Sequence, residues 1–253
     1  MTPPIHVRSF VSNTPEYHDA FAAFLNHTDQ KELAIQWLQR EVARLPQRER
    51  FVDVGAGTGK LTAILGESFS QVIAIEPNPT LVDDLRIACP TATVLPTTIT
   101  AAEFTGLADF ILCSHVFYYI PRDEWELHLD RLMSWLNIGG VLIVAIQNPG
   151  TDCMAMVDHF IGGRFDLGEL CRAAESAPSG RFAARVDTVN ASIHTPDLRT
   201  ACVVAEFVLN VLPMPHPPMW TDLERYIATR FQQPDGSYRM SCNQDFLRVT
   251  RVA

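Results

Sequence analysis

Hydrophobic and polar positions form two kinds of pattern along the first part of the chain. From Glu16 to Leu45, apolar side chains recur at helical spacing with a break at Asn26 and His27, which predicts two helices in an N-terminal cap. From Arg50 onward, several runs are apolar at nearly every position and have the length of strands; they are FVDV, VIAIE, ATVL, ADFILCS and GGVLIVAI. Helical patterns lie among them at 61–69, 80–88 and 122–136.

Strands that alternate with helices usually pair in parallel, and strands that are apolar on both faces are covered by helices on both sides. The pattern therefore predicts an α/β fold with a doubly wound, Rossmann-like sheet. Ligands of such sheets bind at the carboxyl ends of the strands. The residues that follow each strand are therefore the first candidates for chemistry.

The second part of the chain is less regular. Beyond Pro149 the alternation is lost, and a stretch rich in Arg, Ser and Pro predicts a helical lid insertion. The segment VNASIHT, the apolar run Ala201 to Leu212 and the segment DFLRVTRVA are expected to supply the remaining strands, the last one antiparallel, with a final helix at Asp222 to Phe231. We expect one domain, made of a cap at 1–48, a core at 49–149, the lid at 150–182 and a C-terminal part at 183–253.

Composition narrows the range of partners. The formal net charge is -9 and no Lys/Arg cluster offsets it, so electrostatics disfavours nucleic acid and favours a small-molecule ligand. The six cysteines form no CxxC pair and lack histidines at zinc-ligand spacing, so we expect free thiols and no metal site. Neither a signal peptide nor a membrane-spanning run is evident, which predicts a cytoplasmic protein without membrane contact. The sequence leaves the oligomeric state open, with a monomer favoured.

The strand FVDV runs directly into a glycine-rich loop and then into a helix. The loop is Gly55-Ala56-Gly57-Thr58-Gly59. It does not fit the dinucleotide pattern GxGxxG, because Lys60 occupies the place of the third glycine, and the Walker pattern is absent. With Asp53 in the strand, the motif has the form D-x-G-x-G-x-G that binds S-adenosyl-L-methionine, and Asp53 is expected to orient its amino-acid part. This predicts the seven-stranded sheet of a class I methyltransferase.

The ends of the next two strands add polar groups to the predicted cofactor site. Glu76 ends the strand VIAIE about 20 residues beyond the loop, where an acidic side chain can accept hydrogen bonds from ribose hydroxyls, and Pro77 follows it. After the third strand, Thr98, Thr100 and Ala101 are expected near the adenine through hydroxyl or backbone N–H groups.

The fourth strand ends at Ser114 and His115, and its tip is expected to face the methyl donor. Ser114 is assigned to the cofactor site. His115 can accept a proton or a hydrogen bond, because imidazole titrates near neutral pH. Tyr118 and Tyr119 can form an aromatic wall for a cationic group, although one of the two is expected to pack in the core.

Several separated segments resemble histamine N-methyltransferase and its small-amine relatives. They are YHDAFAAFLNHT at Tyr17 to Thr28, VFYYIPRDEW after the fourth strand, GGRFDLGELC at Gly162 to Cys171, and the segment from Asn243 to Val249. In that family the cap closes over the amine, and the substrate is contacted from the cap, the tip of strand four, the GRF segment and the last strand. The resemblance implies N-methylation of a small amine.

Residue by residue, the resemblance implies a substrate site. Its members would be Tyr17, Gln30, His115, Tyr118, Tyr119, Phe165 and Asn243, with Cys242 as an alternative to Asn243. Gln30 stands where the family has a glutamate that pairs with the amine, and Asp29 beside it is a possible substitute. His115 stands in place of a glutamine. These two departures imply a substrate other than histamine.

The predicted reaction moves a methyl group from S-adenosyl-L-methionine to an amine or heteroaromatic nitrogen of a small molecule, leaving S-adenosyl-L-homocysteine. Because the nitrogen must be neutral, His115 or Asp29 is the candidate proton acceptor. Three alternatives stay open: a small-molecule O-methyltransferase, a non-enzymatic scaffold, and a methyltransferase-like fold that catalyses rearrangement or cyclisation in natural-product synthesis.

Overall fold

The computed structural model of the chain describes residues 5–10, 14–177 and 180–253; residues 1–4 and 11–13 of the predicted cap and 178–179 of the predicted lid lie outside the described residues. The α-helices described are α1 (Pro15–Asn26), α2 (Gln30–Ala43), α3 (Lys60–Gly66), α4 (Pro79–Ala88), α5 (Trp125–Ser134), α6 (Asp152–Phe160), α7 (Leu167–Glu175), α8 (Leu198–Leu209) and α9 (Trp220–Phe231). The strands described are β1 (Arg50–Val54), β2 (Gln71–Ile75), β3 (Thr93–Leu95), β4 (Ala108–Ser114), β5 (Leu136–Gln147), β6 (Phe182–Val189), β7 (Ser192–Thr195), β8 (Tyr238–Ser241) and β9 (Gln244–Arg251). None of the described helices is both long enough and apolar enough to cross a membrane.

Seven strands form one mixed sheet in the order β3-β2-β1-β4-β5-β9-β6. Strand β1 pairs in parallel with both β2 and β4, and β4 pairs in parallel with β5. The chain order reverses between β1 and β4, so the carboxyl ends of these two strands border the crevice where doubly wound sheets bind ligands. The predicted Rossmann-like α/β sheet of seven strands is confirmed.

Burial explains why β1 and β4 could be predicted from their apolar composition. Every residue of β1 after Arg50 is buried, and so is every residue of β4 before Ser114. The helix predicted at 61–69 ends earlier, at Gly66, and the one predicted at 122–136 divides into a short 3-10 turn and α5 before Leu136 begins β5. The two cap helices, the helix at 80–88 and the final helix α9 are confirmed.

The apolar run Ala201 to Leu212 is a helix over most of its length, so its expected role as a strand is wrong. It belongs to α8, whose first turn is capped by Asp197: the carboxylate accepts a hydrogen bond of 2.8 Å from the backbone N–H of Thr200. A run of this length exceeds the usual four to eight residues of a buried strand, and a capping residue precedes it. The length of the run and the capping residue before it therefore indicate a helix, although the apolar composition is also typical of a buried strand.

The segment VNASIHT also departs from the expectation that it joins the main sheet. Its strand β7 pairs antiparallel with β8 in a separate two-stranded sheet. The main sheet is completed by β9, as expected from DFLRVTRVA, and by β6 at its edge. The apolar pattern misses β6 because it carries Arg185 and Asp187, which form an ion pair with a closest distance of 3.0 Å. Charged side chains are common on edge strands, where they discourage pairing with other chains.

The chain divides into two compact units. The first unit comprises the described residues of Met1–Leu33, Gln147–Phe165 and Val189–Gln244. The second unit comprises those of Ala34–Ile146, Asp166–Thr188 and Asp245–Ala253. The boundaries expected for the cap, core, lid and C-terminal part within a single domain stay predictions.

The first unit has its own apolar core, which includes the fully buried side chains of Met156, Val204 and Ile227. Helix α1 packs on α8 through aromatic rings. Residues 5–10 are fixed to α8 by the buried carboxylate of Glu206, which accepts hydrogen bonds from the backbone N–H, Nε and Nη2 of Arg8 at 2.7, 3.0 and 2.6 Å. A buried carboxylate needs such a bidentate partner, because an unpaired charge in the core is costly.

Candidate functional site

The loop after β1 follows a path that requires glycine at more than one position. Gly55, Gly57 and Gly59 have φ of 70°, 57° and 81°, in the left-handed region that favours glycine. A Cβ atom on Gly55 would lie only 2.3 Å from Cγ2 of Val116, whereas nothing lies within 4 Å of the Cβ position on Gly57. Gly55 thus permits close contact between the loop and the segment after β4. Gly57 borders open space.

Glu76 fastens the glycine loop to the end of β2. Its side chain is buried, with 6% exposed; Oε2 accepts a hydrogen bond from the N–H of Gly57 and Oε1 accepts one from the N–H of Asn78, both at 2.8 Å. Each carboxylate oxygen can accept a second hydrogen bond. The backbone therefore holds the carboxylate in a position where both oxygens retain capacity for the hydroxyls of a ribose.

Asp53 is buried beneath the loop, with 2% exposed, and its Oδ2 accepts a hydrogen bond of 2.6 Å from the hydroxyl of Thr62 in α3. On the neighbouring strand, burial and the nearby Asp53 carboxylate raise the pKa of the Cys113 thiol. Cys113 therefore remains a protonated, buried thiol and is unsuited to act as a nucleophile.

The residues around the loop fit S-adenosyl-L-methionine better than a nucleotide that binds through phosphate. The Gly57 N–H, which a phosphate would need, already donates to Glu76, and a phosphate would meet the negative charge of that carboxylate. A ribose and a cationic sulfonium would not be repelled by it. The open side of Gly57 leaves room for such a ligand.

The other predicted cofactor residues lie at the ends of β2, β3 and β4. Pro77, Thr98, Thr100 and Ala101 are exposed, and the hydroxyls of the two threonines lie 3.3 Å apart. Ser114 is half-buried at the last position of β4, paired with Ala145 of β5. Their contacts with the cofactor stay predictions.

His115 has the most unusual backbone of the predicted site. Its φ is 59°, and among the described residues it alone combines a side chain with a positive φ. Its N–H donates to the carbonyl of Ala145 at 2.8 Å, and its ring stacks on Tyr118 with centroids 5.8 Å apart. The left-handed conformation costs about 1–2 kcal/mol for a non-glycine residue, and such strain concentrates at functional sites. His115 directly precedes Val116, which contacts the glycine loop.

The paired tyrosines have different surroundings. Tyr118 is buried beside His115, with 7% exposed, whereas Tyr119 is 73% exposed. The expectation that one of them packs in the core is confirmed for Tyr118. A role for either ring as an aromatic wall stays a prediction.

In the first unit, Gln30 is buried and its amide hydrogens are already used. Nε2 donates to the carbonyl of Cys242 at 2.6 Å and to Oε1 of Gln147 at 3.0 Å. An amide nitrogen carries two hydrogens. Gln30 therefore fastens the start of α2 to Gln147 and Cys242. Of its side-chain atoms, only the carbonyl oxygen is left for the predicted substrate contact.

Asp29 and Asn243 lie together on a polar surface of the same unit. Oδ1 of Asp29 accepts a hydrogen bond of 2.7 Å from the N–H of Ser192, and Oδ1 of Asn243 accepts one of 3.0 Å from the N–H of Ala191. Both side chains line an open cavity of about 450 Å³. The structure thus brings together two residues that were predicted separately.

Tyr17 and Phe165, the other predicted residues of the first unit, pack against its apolar core. The Tyr17 ring lies 6.1 Å from Phe21 and 5.7 Å from Phe207, measured between centroids. Phe165 is half-buried beside the same core. Packing explains both side chains, and their substrate contacts stay predictions.

Sequence reasoning misses five residues that shape these sites: Thr62, Asn78 and Val116 in the second unit, and Asp152 and Arg239 beside the cavity in the first. Asn78 could have been found, because an Asn before Pro79 is a typical helix start. The others lie in apolar or mixed segments where spacing gives no signal.

Comparison with known proteins agrees with this geometry. Residues 25–183 match a family described as "Methyltransferase domain", a range that contains the glycine loop, Glu76 and the tip of β4. An uncharacterized methyltransferase of Mycobacterium tuberculosis strain H37Rv is 36% identical over 145 residues, which cover 50% of this chain and 58% of that protein. The chain thus spans less than two thirds of the length of the curated relatives it matches.

Solved structures show the same fold at low sequence identity. A protein from Bacillus halodurans C-125, provisionally named a methyltransferase, has a TM-score of 0.61 and 12% identity, covering 88% of this chain and 99% of that one. The YcgJ protein of Bacillus subtilis has a TM-score of 0.59 and 12% identity, covering 86% and 98%.

Proposed function

This chain belongs to the methyltransferase domain family, and from that premise we propose that it transfers a methyl group from S-adenosyl-L-methionine to a nitrogen atom of a small molecule. The observation that carries the proposal is the joining of three features at one edge of the sheet: the open glycine loop, the buried Glu76 carboxylate and His115. S-Adenosyl-L-homocysteine would be released. The overall negative charge supports a small, neutral or cationic acceptor rather than a nucleic acid.

The second unit supplies the residues for the cofactor. Glu76 would hold the ribose through its two oxygens, Asp53 the amino-acid part, and the loop backbone at Gly55 to Gly59 would line the binding surface. When bound, the cofactor supplies an electrophilic methyl group on a positively charged sulfur. The protein then has to place a neutral nitrogen in line with that methyl group and exclude water.

His115 would position the acceptor and take up its proton. An amine reacts only through its free lone pair, so a nearby base is useful as the nitrogen loses its proton. The strained backbone and the stacking on Tyr118 fix the imidazole at the end of β4. Asp29 of the first unit remains the second predicted proton acceptor.

We also propose a functional analogy with the histamine N-methyltransferase family, with an acceptor other than histamine. The glutamate that pairs with the amine in that family is replaced by Gln30, whose amide hydrogens are used internally. An amide cannot neutralise an ammonium group as a carboxylate does. The replacement supports an acceptor that is a heteroaromatic nitrogen, or an amine whose charge differs from that of histamine.

Product analysis tests the proposal. The chain is incubated with S-adenosyl-L-methionine carrying a labelled methyl group and a panel of amines, azoles and phenols, and the products are analysed by mass spectrometry and NMR. We expect one added methyl mass on nitrogen. His115→Ala should lower kcat/KM by about 100-fold, within the usual contribution of a general base, while His216→Ala on the exposed surface should not. Methylation of oxygen, or product without the label, would contradict N-methyl transfer.

A further inference from the structure

The cavity of the first unit has the size of a small-molecule site, and eight of its nine lining residues have polar side chains. Its volume of about 450 Å³ falls in the usual range for ligand pockets. Asp29, Asp152 and Arg239 are the charged residues around it, and Ser192, Ser241 and Asn243 add polar groups. We refer to it as the polar cleft.

The two-stranded sheet provides the floor of the polar cleft. Ser192 pairs with Ser241 and His194 pairs with Arg239, and side chains of directly opposed residues share a face of the sheet. The other face is buried: Ile193 and Met240 are fully covered. This sheet is therefore amphipathic, and its polar face carries Arg239 two residues, or roughly 7 Å, from Ser241.

The carboxylates of Asp29 and Asp152 are each held beside this sheet by hydrogen bonds to one of their two oxygens. Oδ1 of Asp29 accepts from the N–H of Ser192 at 2.7 Å, and Oδ2 of Asp152 accepts from the N–H and the hydroxyl of Ser241, both at 2.7 Å. The second oxygen of each carboxylate keeps its hydrogen-bonding capacity. Within the described part of the chain, neither carboxylate forms an ion pair.

Arg239 supplies a charge of the opposite sign. Its side chain is exposed, and among the residues described here it forms neither an ion pair nor a side-chain hydrogen bond. A guanidinium group binds a carboxylate through two parallel hydrogen bonds. The polar cleft thus presents one cationic and two anionic groups with unused capacity, for a net charge of about -1.

We propose that the polar cleft binds a diamino acid, a small molecule with one carboxylate and two ammonium groups. The carboxylate would pair with Arg239, and the two ammonium groups with Asp29 and Asp152. The net charge of such a ligand, +1, is opposite to that of the cleft, whereas a phosphate-rich ligand would be repelled. The proposal concerns binding in the first unit rather than the methyl-transfer step: Asp29 would pair with an ammonium group, and this binding does not depend on whether His115 or Asp29 is the proton acceptor of the proposed reaction.

Titration calorimetry of the full chain tests the site without any turnover. L-Ornithine is the probe, and 1,4-diaminobutane, which lacks the carboxylate, and L-alanine, which lacks the second amine, are its comparisons. We expect ornithine to bind more tightly than either. Arg239→Gln should weaken ornithine binding about tenfold, which is roughly 1.4 kcal/mol, but should not weaken the binding of diaminobutane, which has no carboxylate to pair with Arg239. Asp152→Asn should weaken both.

Matched surface variants serve as controls. Asp222 and Arg225 form an exposed ion pair on α9 of the same unit, outside the lining of the cleft, so Asp222→Asn and Arg225→Gln should leave binding unchanged. Asp152 also holds Ser241, so the fold of its variant is checked by circular dichroism; exposed Arg239 does not carry that risk. Failure of ornithine to bind at millimolar concentration, or equal binding to the Arg239→Gln chain, would overturn the proposal.

Discussion

Gly55 and Gly57 are two residues apart, yet a side chain would meet different surroundings at each. Both have positive φ, so alanine would be strained at either position. At Gly55 the added carbon would also overlap with Val116, whereas at Gly57 it would extend into open space. The first glycine is required for packing of the protein itself. At the second glycine only the backbone conformation disfavours a side chain, and a steric overlap arises only if a ligand approaches the loop.

This difference predicts that alanine at Gly55 mainly lowers stability, whereas alanine at Gly57 mainly weakens cofactor binding. Gly55→Ala should lower the free energy of unfolding by about 3 kcal/mol, from strain plus overlap, and Gly57→Ala by about 1 kcal/mol. Gly57→Ala should nevertheless weaken S-adenosyl-L-methionine binding, because its methyl group would occupy the ligand's space. Urea denaturation and calorimetry measure the two quantities. Gly236→Ala, also at positive φ with nothing within 4 Å, is the control and should not affect cofactor affinity; an unchanged affinity of the Gly57 variant would contradict a ligand at the loop.

At the scale of residues, the sequence predicts which residues belong to the site better than it predicts their contacts. Asp53 and Glu76 could be placed because each lies in or at the end of an apolar strand of known direction. That Glu76 accepts from Asn78, or that Thr62 donates to Asp53, depends on turn geometry that no spacing rule contains. The same holds for the positive φ of His115, which sequence composition does not reveal.

At the scale of elements, α8 shows how a helix can resemble a strand. Its apolar residues are almost continuous because it is buried on most sides, which resembles the pattern of a buried strand. The Asp197 cap at its start and the spacing of Glu206 and Asn210, four residues apart, are the features that indicate a helix. By contrast, the five apolar runs of the main sheet were predictable because helical patterns and glycine turns bound them.

The cap of α8 predicts a pH-dependent contribution to stability. The backbone hydrogen bond from Thr200 lowers the pKa of Asp197 below its ordinary value of 3.8. A carboxyl group with a lowered pKa in the folded state stabilises the fold at pH above that ordinary value and loses its effect as the pH falls through the lowered one. Asp197→Ala should therefore lower the free energy of unfolding by about 1 kcal/mol at neutral pH, and by progressively less as the pH falls. Urea denaturation over this pH range measures it; Asp197→Asn, which can still cap, should cost less, and a cost of Asp197→Ala that does not change with pH would refute the role of the charge.

At the scale of the whole molecule, the family and the fold follow from features spread along the chain, but the division into two units does not. Each unit combines three separate segments, and the boundaries fall inside predicted elements such as α2. Apolar patterning reports which residues are buried. It does not report which core they enter.

The identity of the cofactor has a consequence for the stability of the whole chain. A ligand present at about 100 times its dissociation constant raises the free energy of unfolding by roughly 2.7 kcal/mol. S-Adenosyl-L-methionine and S-adenosyl-L-homocysteine should therefore raise the melting temperature, whereas NAD and ATP should not. A thermal-shift screen makes the comparison, with L-methionine as a control for the amino-acid part alone. Stabilisation by NAD or ATP in place of the two sulfur compounds would refute the assignment of the loop.

The order of strands in the main sheet also bears on how the chain is made. Strand β9 is the last to be synthesised of the nine strands in the described part of the chain, yet it lies between β5 and β6. Until β9 has been made, β5 and β6 each lack the strand that lies between them in the folded sheet, and an unpaired strand edge can pair with other chains. The sheet can close only when β9 inserts between two strands that were made earlier, so the joining of β5 to β6 is a late step in the folding of the sheet.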